Sequence, residues 1–210
     1  MFLRVEDVGM PFADEVAAVA VVEYQSQWPV DFERLAGALR KALGSQARTI
    51  DHVGSTAVPG LAPKDCVDIQ ARVTAIHEAR QIGLLAAIGF RCRPDPWNRV
   101  EHSGGEECRK LVFAPPAGAR RCNVHLRREG DPNCRYALLF RDYPRADQAA
   151  RRQWGAFKQR LARSVPDLLD YGQIKAPATE ILMIAAERWA AATGWQPPPG
   201  RPASRTSPPR

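Results

Sequence analysis

The stretch His52-Val-Gly-Ser-Thr-Ala-Val-Pro-Gly-Leu-Ala-Pro-Lys64-Asp-Cys-Val-Asp68-Ile-Gln70 decides the fold of this 210-residue chain. A short β run, Thr49 to Val53, ends at Gly54-Ser55. A loop punctuated by Pro59, Gly60 and Pro63 follows, and a second β run starts at Cys66. Gly54 has no Cβ and accepts positive φ, so the backbone there can approach a ligand closely. Successive N–H groups in such a turn form an anion-binding concavity. Lys64 sets a cation beside it, and Asp68 lies two residues into the next strand, on the face opposite Val67 and Ile69. A phosphate cradle, a cation and a carboxylate are the equipment expected for a nucleotide and its metal ion.

The string HxGSTxVxGxxxKxxxD resembles the signature of the GrpB family, a branch of the nucleotidyltransferase-like superfamily. The resemblance extends upstream through Val22-Glu-Tyr24-Gln-Ser-Gln-Trp28-Pro-Val-Asp-Phe32. Downstream it takes in Asn123-Val-His125-Leu, Leu139-Phe-Arg141-Asp-Tyr143 and Tyr171-Gly-Gln-Ile-Lys175, so it spans roughly residues 20–193. It implies an α/β (α+β) fold of the nucleotidyltransferase-like kind: a small mixed β-sheet of about five strands covered by helices, with a helical C-terminal part. The chain is also similar to the domain fused behind dephospho-CoA kinase in some actinobacteria. No GxxxxGK[ST] phosphate loop occurs in it, so that kinase domain is not expected.

The resemblance implies roles for particular residues. Gly54, Ser55 and Thr56 would cradle phosphate, with His52 touching it or standing behind it. Asp68 would hold Mg²⁺ and take part in catalysis. Lys64, Lys110, Arg141, Lys158 and Lys175, at positions where the family carries basic residues, would form a rim around an anion. His125 would act as general base, or as a phosphate donor when protonated. Plain structural readings stand beside these: His52 as a partly buried histidine bonded to backbone, Arg141-Asp142 as an ion pair fixing the helical part to the sheet, and Trp28 and Trp154 as core rather than base-stacking groups. Tyr171 and Lys175, at i,i+4 spacing, share one helix face. A dehydrogenase reading of that pair fails, because no GxGxxG follows a first strand.

Gln70 departs from the superfamily pattern. A metal-binding strand there reads Asp-x-Asp or Asp-x-Glu, and an amide is a weak Mg²⁺ ligand. The neighbouring strand offers His125 and no acid, and Asp65, an odd number of residues from Asp68, points to the other face of a continuous strand. A one-metal or metal-free site is therefore open beside a two-metal one. The functional expectation is a protein that binds a nucleoside triphosphate or related phosphate ligand, with nucleotidyl transfer to an unknown acceptor. The alternative is a non-catalytic accessory module with a protein partner, resembling the domain appended to dephospho-CoA kinase.

Composition narrows the class. The net charge of +7 includes three arginines in the last fifteen residues; without them +4 remains. A diffuse positive surplus suits a small phosphorylated ligand better than nucleic acid, which calls for a clustered stripe. Five cysteines, an odd number, show no CxxC or Cys/His metal spacing, and Cys66 and Cys122, in apolar strand contexts, read as reduced core residues. No apolar leader and no stretch near the roughly twenty residues of a membrane span occurs, so a cytoplasmic protein is expected, with no membrane partner.

Along the chain, residues 1–18 read as an arm, 19–194 as the domain, with its helical part from about 133 to 194, and 195–210 as a disordered Pro/Arg tail. Ala17 to Glu23 reads as a first strand. Phe32, Leu35, Ala36, Leu39, Ala42 and Leu43 recur at helical spacing. Cys66–Val73 alternates: Val67, Ile69, Ala71 and Val73 one way, Asp68, Gln70 and Arg72 the other. A helix is expected over about 75–87, and residues 90–105 read as loop-rich. Strands are expected at Lys110–Phe113 and Cys122–Arg127, then helices up to Tyr143-Pro144, over about 146–163 and over about 178–192.

Overall fold

The alternation in the second strand is the axis of the sheet. The protein is described here as a computed structural model, covering residues 12–15 and 18–199. In it β2 (Val67–Val73) pairs antiparallel with β1 (Ala47–Val53) and parallel with β6 (Cys122–Arg128). β6 pairs antiparallel with β5 (Glu106–Ala114), which also pairs with β3 (Arg91–Cys92) and β4 (Val100–Ser103). The sheet order is β1-β2-β6-β5-β3, with β4 alongside β5. This mixed sheet, covered by helices and followed by a helical C-terminal part, is the arrangement that the resemblance implies.

The sheet has two unlike faces because its strands alternate in phase. Val67, Ile69, Ala71, Val73, Leu111, Phe113, Val124 and Leu126 form one core with Trp28, Phe32, Ala36, Leu39 and Leu43 of α1 (Gln27–Leu43) and with Leu85 of α2 (Glu78–Ala86). Most of these side chains have no exposed surface. Each fully buried Leu, Ile or Phe among them contributes about 2 kcal/mol relative to exposure. The opposite face is polar. The register sets Asp68 beside Asn123, Gln70 beside His125, and Arg72 and Lys110 beside Arg127. α3 (Pro132–Ala146) packs on that face, and α4 (Gln148–Ser164) and α5 (Leu168–Thr193) pack against α3 and each other.

A buried polar network joins α3 to this face. Arg127 Nε and Asn133 Nδ2 donate to Glu101 Oε1, each at 2.8 Å, and Lys110 Nζ donates to Glu101 Oε2 at 2.9 Å. Arg127 Nη1 also donates to Gln70 Oε1 (3.1 Å), and Gln70 Nε2 donates to the Cys134 carbonyl (3.2 Å).

Several elements differ from the sequence expectation. The segment read as a first strand makes one isolated bridge, Val21 to Lys64, and Ala17 lies outside the described residues. The cause is packing: Val19 and Val21 join Leu161 and Tyr171 of the helical layer. The loop-rich stretch holds β3 and β4. Gly104 and Gly105, at φ 59° and 81°, make the two-residue turn of a β4–β5 hairpin, which favours positive φ at both positions. α5 starts at Leu168, ten residues before the expected start. Asp167 caps it, accepting from the N–H groups of Leu169 and Asp170 at 2.9 Å, and the helix carries Pro177 inside. α3 likewise runs through Pro144. Packing of Tyr171, Met183, Ala186 and Ala190 offsets the hydrogen bond that Pro177 forfeits.

The described start of the tail is anchored. Trp195 Nε1 donates to Asp142 Oδ2 (3.2 Å), and the Pro198 carbonyl accepts from Arg72 (3.2 Å). The rest of the expected tail, 200–210, and most of the expected arm lie outside the described residues. All five cysteines are free thiols.

Candidate functional site

The Gly54 turn closes directly onto β2. Val53 is the register partner of Asp68, so the chain leaves β1 above that carboxylate. Gly54 adopts φ 67°, and Ser55–Ala57 form a single 3-10 turn. A Cβ built on Gly54 would run into the Asp68 carboxylate and lie 2.9 Å from the Asp68 Cβ. Glycine is required here twice over, by conformation and by space.

A cavity of about 390 Å³ opens at this point. Its floor is the polar sheet face, with Asp68, Asn123, His125 and Lys110. Gly54, Ser55, Thr56 and Lys64 form one wall. Phe140 of α3 and Tyr171 and Lys175 of α5 close the far side. Tyr171 and Lys175 thus share the helix face that their spacing implied.

The cations differ in their engagement. Lys64 Nζ sits 5.6 Å from the centre of the Tyr171 ring. Lys110 is spoken for by Glu101. Lys158 is only 3 % exposed and donates from Nζ to Ser55 Oγ at 2.9 Å. Burial, then the nearby charges of Lys175 and Lys64, push its amine down to about 7. Asp68 accepts from Asn123 Nδ2 at 3.1 Å, and its burial raises the carboxyl above its ordinary range.

Three expected site residues, His52, Arg141 and Lys158, do not line the cavity. The β1–β2 register pairs His52 with Ile69, on the apolar face, whereas Asp51 and Val53 share the face of Asp68. His52 stacks on Phe32, with ring centres 4.8 Å apart, and bonds through Nε2 to Thr56 Oγ1 at 3.0 Å. It therefore supports the turn from behind; burial, with Arg145 and Arg141 nearby, holds it neutral, with a pKa of about 4. Arg141 is not among the cavity-lining residues. It pairs with Asp142 at 2.6 Å and donates to the His52 carbonyl at 3.2 Å, so it fixes α3 to β1.

His125 lines the cavity. Burial, reinforced by Arg127 and Lys110, holds its pKa well below the ordinary histidine value. Its Nδ1 has no hydrogen-bond partner among the described residues. Trp28 and Trp154 are buried core residues.

The donor set does not fit a two-metal centre. Gln70 is fully buried and both ends of its amide are engaged, so it faces no ligand. Asn123 supplies an amide and His125 a buried imidazole. Among the described residues, no three His, Cys, Asp or Glu side chains gather as metal ligands. Glu15, Asp65 and Asp68 are the carboxylates that line the cavity, but Glu15 is paired with Arg93 and Asp65 with Trp28 and Arg120, which leaves Asp68 short of the several oxygen ligands that hard divalent ions take.

Comparison with known families matches residues 18–183 to the one described as GrpB protein. The chain belongs to the GrpB family. A solved GrpB, the conserved protein from Enterococcus faecalis, superposes with a TM-score of 0.67 and 27 % identity, over 81 % of this chain and 99 % of that one. The UPF0157 protein SCO7215 of Streptomyces coelicolor is 32 % identical over 189 residues, covering 89 % of this chain and 91 % of its own length. A dephospho-CoA kinase of Mycolicibacterium paratuberculosis is 34 % identical over 199 residues, covering 86 % of this chain. This GrpB chain spans about half the length of that relative, 49 %.

The GrpB cavity also holds residues that the sequence did not single out. Arg93, its side chain 5 % exposed, donates to Asn123 Oδ1 (3.1 Å) and pairs with Glu15 (3.0 Å). It follows the two-residue β3, too short to show alternation. Asn123 was legible in principle, since it shares a strand face with His125. Among the described residues of this GrpB protein, no helix is long and apolar enough to cross a membrane.

Proposed function

We propose that this GrpB protein binds a phosphorylated small molecule, of the nucleoside polyphosphate class, in the cavity between the polar sheet face and the C-terminal helices. One observation carries the reading: Ser55, on a turn that only glycine can make against Asp68, is held by Lys158 and flanked by Lys64 and Lys175. Cations gathered beside a hydroxyl and turn N–H groups suit phosphate oxygens. The cavity, about 390 Å³, falls within the usual range for small-molecule sites. Phe140 and Tyr171 offer aromatic surface for the rest of the ligand.

Binding without two-metal transfer chemistry is the form that the donor set favours. Mg²⁺ is then a counterion of the free nucleotide, and Asp68 helps to shape the turn. Calorimetry with ATP, CTP, GTP and UTP, with Mg²⁺ and with EDTA, tests this. The expected outcome is binding in EDTA with no release of pyrophosphate. Binding only with Mg²⁺, accompanied by pyrophosphate release, supports nucleotidyl transfer instead.

A second reading concerns partners. Relatives named dephospho-CoA kinase contain this domain as about half of their length. An accessory role beside such an enzyme in the cytoplasm follows, with the nucleotide cavity as its sensor. Co-purification with the host's dephospho-CoA kinase tests it; separate elution at micromolar concentration counts against it.

A further inference from the structure

Lys158 does not line the cavity; it reaches the site through Ser55. Its ammonium has three hydrogens and no acceptor, so when protonated it can only donate to Ser55 Oγ. The single Ser55 hydrogen must then point elsewhere, and the cavity is where Ser55 is open. A neutral amine reverses this, because its lone pair can accept the Ser55 hydrogen.

The charged groups bearing on the amine are Lys175 from α5, Lys64 from the loop after the turn, and Asp68 from β2. From α3, packed on the same helix, Arg141 and Arg145 are engaged by Asp142 and by the carbonyls of His52 and Ala57. Nearby cations thus outnumber the one nearby anion. We propose that Lys158 is a positioning residue of the phosphate site: its ammonium aims the Ser55 hydroxyl at the ligand, and ligand binding is coupled to proton uptake at this amine. This rests on the phosphate-site reading.

The linkage has a definite sign. In the free protein the amine titrates near 7. An arriving polyanion offsets the charges of Lys64 and Lys175 and makes Lys158 more basic, so protons are taken up above neutral pH and not well below it. ATP is a suitable probe, because its phosphates are fully ionised above about pH 8.

The test is calorimetry of ATP in EDTA at about pH 8, in two buffers of different ionisation enthalpy, repeated across pH. The expected result is uptake of about one proton per ATP, with affinity falling about tenfold per pH unit above neutrality. Lys158→Arg, charged throughout, should show no uptake and a flat profile, and Lys158→Met should show no uptake with weaker binding. Ser55→Ala should bind weakly across the range while folding normally, judged by thermal melting. ATP binding to the unaltered protein without proton uptake, or uptake that persists in Lys158→Met, overturns the role of Lys158 and leaves the phosphate site standing. No ATP binding at any pH overturns both.

Discussion

Gly54 and Asp68 are in contact across the β1–β2 register, and a Cβ on the first would occupy the carboxylate of the second. The turn that would grip phosphate and the acid once expected to grip metal are therefore one packed unit. Asp68 reads as part of the wall of the site, with its charge balanced by the lysines around it.

Gly54→Ala is expected to cost about 2–4 kcal/mol, combining positive-φ strain with the collision at Asp68. Urea denaturation measures it. A cost near zero means that the turn relaxes freely and is not the fixed cradle described.

Asp68→Asn separates binding from metal chemistry. Asn123 can still donate to the remaining oxygen. Burial raises the Asp68 carboxyl, so the folded state holds its proton more tightly than the unfolded chain. Its ionisation therefore opposes folding as pH rises above 3.8, and the variant should equal or exceed the parent in stability at neutral pH, with the difference vanishing in acid. Removing a negative charge beside the phosphates should also tighten nucleotide binding several-fold, about 1 kcal/mol. Loss of binding favours the metal role instead.

Glu101→Gln leaves Lys110 and Arg127 buried without their shared counter-charge. A loss of about 3–5 kcal/mol is expected. The folded Glu101 pKa lies below its ordinary 4.5, so its contribution is present above that pH and fades as pH falls further. Unfolding at pH 7 and in acid checks both parts; equal costs at the two extremes contradict the network.

His52 must charge on unfolding in mild acid. With a folded pKa near 4 against 6.5, stability should fall as pH drops through that window, by about 3 kcal/mol in all. His52→Phe should flatten this part of the pH profile and keep the contact with Phe32. An unchanged profile means that His52 is not the group responsible.

Much of this arrangement was legible because it depends on local rules. The Val67/Asp68 alternation of β2 separates core from cavity, and the Gly-Ser turn sits where glycine and proline punctuate the chain. The position of His52 was not open to counting: it follows from the β1–β2 register, which pairs Val53 with Asp68 and His52 with Ile69, and the long loop between the strands hides that register. Arg93 and Glu15 were beyond reach, because the two-residue β3 carries no period and their meeting depends on tertiary packing. α5 was read too short because Pro177 resembles a helix start, whereas a capped end at Asp167 and a packed face hold the helix together through it. The engagement of Gln70 by Cys134 and Arg127 depends on where α3 crosses the sheet, which no spacing records.

A crystal structure of the protein with a non-hydrolysable ATP analogue in EDTA addresses the central claim most directly. The predicted result is phosphate oxygens within hydrogen-bond distance of Ser55, beside Lys64 and Lys175. Phosphates seated away from that turn, or density for the analogue only when Mg²⁺ is supplied and held by Asp68, would contradict it.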